Sequence, residues 1–159
     1  MTTTTRPVYR TADDYFAAYG THHQNPINKA FHWVCVPLIV LSLLGLLWEV
    51  QPLPQYPWAN LAVATVVLAQ VFYLRLSVPL GLGMLVYSGL SMALLYRLDL
   101  LGYPIWLISL GVFVAAWTGQ FIGHKIEGAK PSFLEDVKFL LIGPIWLLGF
   151  AYRRWGIRY

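Results

Sequence analysis

Four apolar runs, at 31–48, 58–74, 80–96 and 104–122, follow one another with short breaks between them. Each approaches the roughly 20 residues that an α-helix needs to cross a hydrocarbon core. Lipid offers no hydrogen bonds to backbone, so such runs must satisfy their own N–H and C=O groups as helices. Glu49 and QPLPQYP, with Pro52, Pro54 and Pro57, end the first run. Ser77-Val78-Pro79 separates the second from the third, and Arg97, Asp99 and Gly102 mark the next loop. Pro37 lies inside the first run and predicts a kink or the start of the buried part. Gly81, Gly83, Ser88, Gly89 and Ser91 in the third run predict close helix approach. A fifth apolar stretch, 137–152, is short for a span and is interrupted by Gly143-Pro144. It reads as re-entrant, as tilted, or as a fifth helix.

Composition supports a membrane setting. Hydrophobic residues make up 58% of the 159 and charged residues 11%, against about 25% charged in soluble domains. A soluble fold of this size could not hide so much apolar surface. The formal charge of +4 is small, and no basic patch interleaved with aromatics points to nucleic acid. Cys35 is the single cysteine, which excludes an internal disulfide and any multi-cysteine metal site. The polar N-terminal stretch has no apolar core of a signal peptide.

The expected organisation is one all-α integral membrane domain over 1–159. Residues 1–12 read as a loose tail. The segment 13–32 carries three of the four histidines, and DDYFAAYG within it predicts a short helix. Thr11 or Asp13 would cap that helix, and Gly20 would stop it. Tyr15, Phe16 and Tyr19 fit one face of it, as in an interfacial or packed helix too short to cross. A core of four transmembrane helices fills 31–122. A loop with His124 and the C-terminal apolar segment fill 123–159. Asn25-Pro26 predicts a turn, and Asn28 predicts the cap of the first spanning helix.

Four spans return the chain to the face on which it started. His22, His23 and His32 precede the first span or lie in its first turn, and His124 follows the fourth. All four histidines therefore share one membrane face. Arg6, Arg10, Lys29, Arg75, Lys125, Lys130 and Lys138 fall on that face, against Arg97 on the other. Arg153, Arg154 and Arg158 join one side or the other according to whether the last stretch crosses. On either count the histidine face is cytoplasmic.

Neutral imidazole is the commonest metal ligand. Clustered histidines beside Asn25, Asn28 and Glu127 suit one divalent ion. His124 and Glu127 are three apart and share a face if helix continues there. His23 and His32 are nine apart, and the turn at Pro26 lets them converge. The lack of a thiolate cluster argues against structural zinc and iron–sulfur centres. Imidazole with open positions suits Fe(II) and O₂, and equally hydrolytic zinc. A non-enzymatic membrane protein that binds metal or a partner is a further reading. Lys29 and Lys125 read as interfacial anchors or as groups that attract a carboxylate.

Two motifs carry a resemblance. The first is His23-Gln-Asn-Pro-Ile-Asn-Lys-Ala-Phe-His32, followed by a proline-containing helix. The second is Trp117-Thr-Gly-Gln120-Phe-Ile-Gly-His124, with Glu127 and Pro131 after it. Paired in this order at opposite ends of a four-helix core, they resemble the Mpo1-like family over about residues 15–150. The resemblance implies an Fe(II)-dependent dioxygenase that shortens long-chain 2-hydroxy fatty acids by one carbon, with O₂, in α-oxidation. It implies His23, His32 and His124 as the iron ligands and catalytic centre. His22, one position before the motif, stands as a fourth ligand or as support for one. Asn25, Asn28, Glu127, Gln120 and Lys29 stand as residues around the metal or the substrate.

Overall fold

The computed structural model describes residues 9–53, 55–56, 58–134 and 138–159. Most of the predicted tail, the prolines at 54 and 57, and position 137 lie outside the described residues. Six α-helices and one 3-10 turn follow in order: α1 (Ala12–Gly20), α2 (Pro26–Trp48), α3 (Leu61–Leu76), α4 (Val78–Leu100), α5 (Ile105–Glu127), the turn Ser132–Leu134, and α6 (Phe139–Arg154). No strand occurs among the described residues, as the all-α reading requires.

Three helices, α2, α4 and α5, are long and apolar enough to cross a membrane. The predicted count of four meets α3 at 16 residues, or about 24 Å of helix against a core of about 30 Å. The fifth stretch, α6, is one continuous helix of the same length through Gly143-Pro144 rather than an interrupted one.

Local chemistry explains several boundaries. Thr11 caps α1 in a reciprocal box with Asp14: the Thr11 hydroxyl accepts from the Asp14 N–H, and the Asp14 carboxylate accepts from the Thr11 N–H. Within the stretch read as a tail, α1 begins at Ala12, and the Tyr9 ring packs at a tilt against Tyr15 with centroids 4.8 Å apart. Asn25, not Asn28, caps α2, because its side chain accepts from Ile27 N–H. Pro26 then takes the first helical position, where its missing N–H costs nothing. The chain break thus falls at 21–25, before Pro26. Ser77 alone joins α3 to α4, closing one helix and capping the next. α5 runs past the predicted end of its span to Glu127, so His124 stands in a helix rather than a loop. Gly128, at φ 75°, ends α5 in the left-handed conformation that glycine tolerates best.

Packing decides where the histidines go. α2 is central and touches α3, α4, α5 and α6. It runs antiparallel to α5, for its first turns meet the end of α5 while Gly45 meets Ser109 near the start of α5. Gly119 and Gly123 let the two backbones approach. An added Cβ at Gly123 would lie 2.6 Å from Asn28 Oδ1, and one at Gly119 2.7 Å from Cys35 Sγ. These small residues, four apart, are the kind that drive helix association in lipid. α1 lies against α6 through Ala12, Tyr15, Phe16 and Tyr19, one buried stripe at helical spacing. The expected interfacial or packed helix is thus a packed one.

Candidate metal centre

What one ring nitrogen of a histidine binds determines what the other can do. His23 stands just past α1, with Nδ1 2.5 Å from the Tyr19 carbonyl, one of the acceptors that a helix end leaves open. His32 stands in the second turn of α2, with Nδ1 2.9 Å from the Asn28 carbonyl. A carbonyl can only accept, so both Nδ1 atoms carry the proton and donate. The two Nε2 atoms are then lone pairs, and they face each other at 2.9 Å.

Facing lone pairs repel unless a cation answers them. A shared proton would leave a buried cationic imidazole, and His23 resists that. Burial, then the neighbouring His32, hold its pKa down at about 3. A metal ion held between the two nitrogens would answer them. His124, from the end of α5, completes the set: one nitrogen from each of the three rings lies within 4.8 Å of the others. Metal–imidazole bonds of about 2.0–2.1 Å put neighbouring ligand atoms about 3 Å apart, which the His23–His32 pair meets at 2.9 Å, while the 4.8 Å span of the full set would have to shorten around an ion. The three rings are 1%, 1% and 5% exposed. No thiolate or carboxylate joins the group among the described residues. Three neutral imidazoles leave coordination positions open for small ligands, which is the pattern of a catalytic rather than a structural site.

Neighbours hold the rings. Tyr19 stacks on His23 with centroids 4.0 Å apart and planes at 11°. Trp146 of α6 packs against both. Glu127 ties the end of α5 to the start of α2: its carboxylate accepts from Gln24 N–H at 2.7 Å, Asn25 N–H at 2.9 Å and Asn28 Nδ2 at 3.0 Å. A carboxylate at a helix N-terminus also meets the positive end of the helix dipole. Asn28 is wholly buried, and its carbonyl holds His32 while its side chain holds Glu127. Asn25 serves as the cap of α2.

The structure does not bring every candidate together. His22 is half-buried and stands outside the three-histidine group; its carbonyl accepts from Asn28 Nδ2 at 3.5 Å. Lys29 is half-buried on the first turn of α2 and does not line the cavity at the histidines. Gln120 does line it, with Tyr19, His32, Trp117, His124 and Ser132. Tyr19 and Ser132 are absent from the sequence-derived set. Tyr19 could have been found, since it precedes His23 by four just as Asn28 precedes His32. Ser132 sits in a connecting turn with no periodicity to mark it.

The family model described as 2-hydroxy-palmitic acid dioxygenase Mpo1-like matches residues 9–155, from before α1 to the end of α6. The chain belongs to the Mpo1-like family. The 2-hydroxy-palmitic acid dioxygenase MPO1 of Saccharomyces cerevisiae is 32% identical over 135 residues, which cover 82% of this chain and 73% of that protein. No solved structure matches. The matched region of the Mpo1-like chain contains all three clustered histidines.

Proposed function

We propose that this Mpo1-like chain is a non-haem Fe(II) dioxygenase that cleaves the C1–C2 bond of a long-chain 2-hydroxy fatty acid, leaving the acid one carbon shorter. The convergence of three neutral imidazoles beside a cavity carries this reading, and likeness to a named 2-hydroxy-palmitic acid dioxygenase supports the substrate class. His23, His32 and His124 would hold the iron, which supplies activation of O₂ for an oxidative cleavage. The Tyr19 and Asn28 carbonyls fix the tautomers of His23 and His32, so that both present lone pairs without a proton having to leave. Burial of the three rings limits water at the reacting centre. The loop charges assign this face to the cytoplasm, the inner membrane in a bacterium.

His23→Ala, His32→Ala and His124→Ala are each expected to abolish the shortened acid in an Fe(II)-supplemented membrane assay with 2-hydroxypalmitate. Full activity in all three variants would reject the proposal. Three histidines are also a catalytic zinc set, so a zinc-dependent lipid enzyme is the second reading. Metal analysis of purified protein and O₂ consumption separate the two.

A further inference from the structure

Buried polar atoms are nearly always paired, and the exceptions ask for a reason. Five buried side-chain atoms here have no hydrogen-bond partner among the described residues. Three of them, Trp117 Nε1, Gln120 Nε2 and Ser132 Oγ, belong to residues lining a cavity that also touches His32 and His124. Gln120 is 5% exposed and Ser132 2%. They come from two separate elements, α5 and the turn after it, so no local backbone motif explains them. All three can donate.

The cavity has a matching shape. Beside the histidines it holds about 50 Å³, room for a few polar atoms, since one water needs roughly 10–15 Å³ on such a measure. A second cavity of about 260 Å³ lies beyond it, lined largely by apolar side chains from α2, α3, α4, α5 and α6. The two share Ile39, Val40, Trp117 and Leu140 as wall, so they adjoin. A small space that meets two of the histidines and the three unpaired donors, with a larger apolar space adjoining it, fits an amphipathic acid entering head to metal.

We propose that Trp117, Gln120 and Ser132 form the subsite that binds the carboxylate of the 2-hydroxy acid, with its acyl chain in the adjoining apolar cavity. The proposal rests on the reading of the protein as a 2-hydroxy acid dioxygenase. Among the described residues, no lysine or arginine lines either cavity. The anion is held by these three donors and by the charge of the metal, a combination that favours the ionised carboxylate. These are positioning residues: they set which end of the substrate faces the histidines.

The test is equilibrium binding of 2-hydroxypalmitate to purified, iron-loaded protein in detergent without O₂, so that nothing turns over. Trp117→Phe removes the N–H with part of the ring, and Ser132→Ala only the hydroxyl. Gln120→Leu removes the amide, and Gln120→Glu places a like charge against the ligand. Each loss of a donor to a charged group is expected to weaken binding about 10-fold to 100-fold. Iron content should stay at the wild-type level. The methyl ester of the same acid, which carries no charge, should lose less to Gln120→Glu than the acid does. Unchanged acid binding in all the variants at equal iron content would overturn the subsite, as would equal losses for acid and ester. Wild-type protein that forms the shortened acid while the variants bind as wild type does would leave the enzyme reading standing and the subsite rejected. Binding that depends on Gln120 without any shortened product would do the reverse.

Discussion

At the scale of single residues, the centre is built by small backbone debts settled with side chains. The carbonyls of Tyr19 and Asn28 each take a histidine N–H, and Glu127 takes three donors from the start of α2. Glu127→Ala would leave those donors to water. The carboxylate is half-exposed, so the expected loss is near the low end for such bonds, about 1 kcal/mol, read as a lower thermal midpoint. Metal affinity should fall more, about 10-fold to 100-fold, because the clamp orients two of the elements that carry ligands. Glu127→Gln keeps an acceptor and should recover part of both. The histidines also set a pH dependence. His23 has a folded pKa of about 3, against an ordinary value of 6.5. In metal-free protein the unfolded chain therefore takes up a proton between those values that the folded chain refuses. Stability is expected to fall as pH drops from about 6.5 toward 3, by up to about 1.4 kcal/mol per unit from this group, and to be insensitive to it above 6.5. A pH series of unfolding curves on apo-protein reads this directly.

At the scale of helices, the α2–α5 contact brings His32 and His124 together, and glycine sets its distance. Gly123→Ala would press a Cβ to within 2.6 Å of Asn28 Oδ1 and 3.2 Å of Phe31 Cβ. Asn28 is wholly buried with its amide bound to Glu127, and Phe31 Cβ lies next to the backbone, so neither yields easily and the helices must separate at the site. Bound metal per protein is expected to drop in Gly123→Ala. Gly111→Ala is the control, because a Cβ there meets nothing within 4 Å, and metal content should remain at the wild-type level. The same contact was only partly visible in sequence. The apolar runs marked both helices, but nothing in their periodicity said that Gly119 and Gly123 face Phe31 and Cys35. Small residues in the third run were marked, and Gly81 and Gly83 do meet neighbours closely, at Leu74 and at Tyr152 and Leu148, while Gly89 meets nothing within 4 Å. The helix caps show the same limit. Asn25 and Asn28 are both good caps by residue type, and only the burial of Asn28 between α2 and α5 shows that it serves another purpose.

At the scale of the whole molecule, three elements far apart in sequence each supply one candidate ligand: the link after α1, the start of α2 and the end of α5. Metal should therefore act as a cross-brace between them. Fe(II) or Zn(II) added to apo-protein is expected to raise the thermal midpoint, and a chelator to reverse it, in proportion to the logarithm of free metal over its dissociation constant. His124→Ala should remove the response, since it takes away the ligand that closes the loop from α2 to α5. An unaltered response in that variant would show that the stabilising ion binds elsewhere.

The sequence by itself determined the all-helical class of the fold and put four histidines into one candidate set, of which the resemblance singled out three. Apolar runs near span length admit only helices, and a count of four spans, of which three are long and apolar enough to cross, put His124 on the face of His23 and His32. It marked the two motifs as well, because their residue types and spacing are local properties of the chain. Tertiary structure alone decided the rest. The tautomers of His23 and His32 depend on which carbonyl each ring reaches, and Glu127 became a clamp through contacts across about a hundred positions. The unpaired donors of Trp117, Gln120 and Ser132 are defined by what does not surround them. A one-dimensional pattern records which groups exist, while pairing, burial and shared cavities belong to the packed molecule.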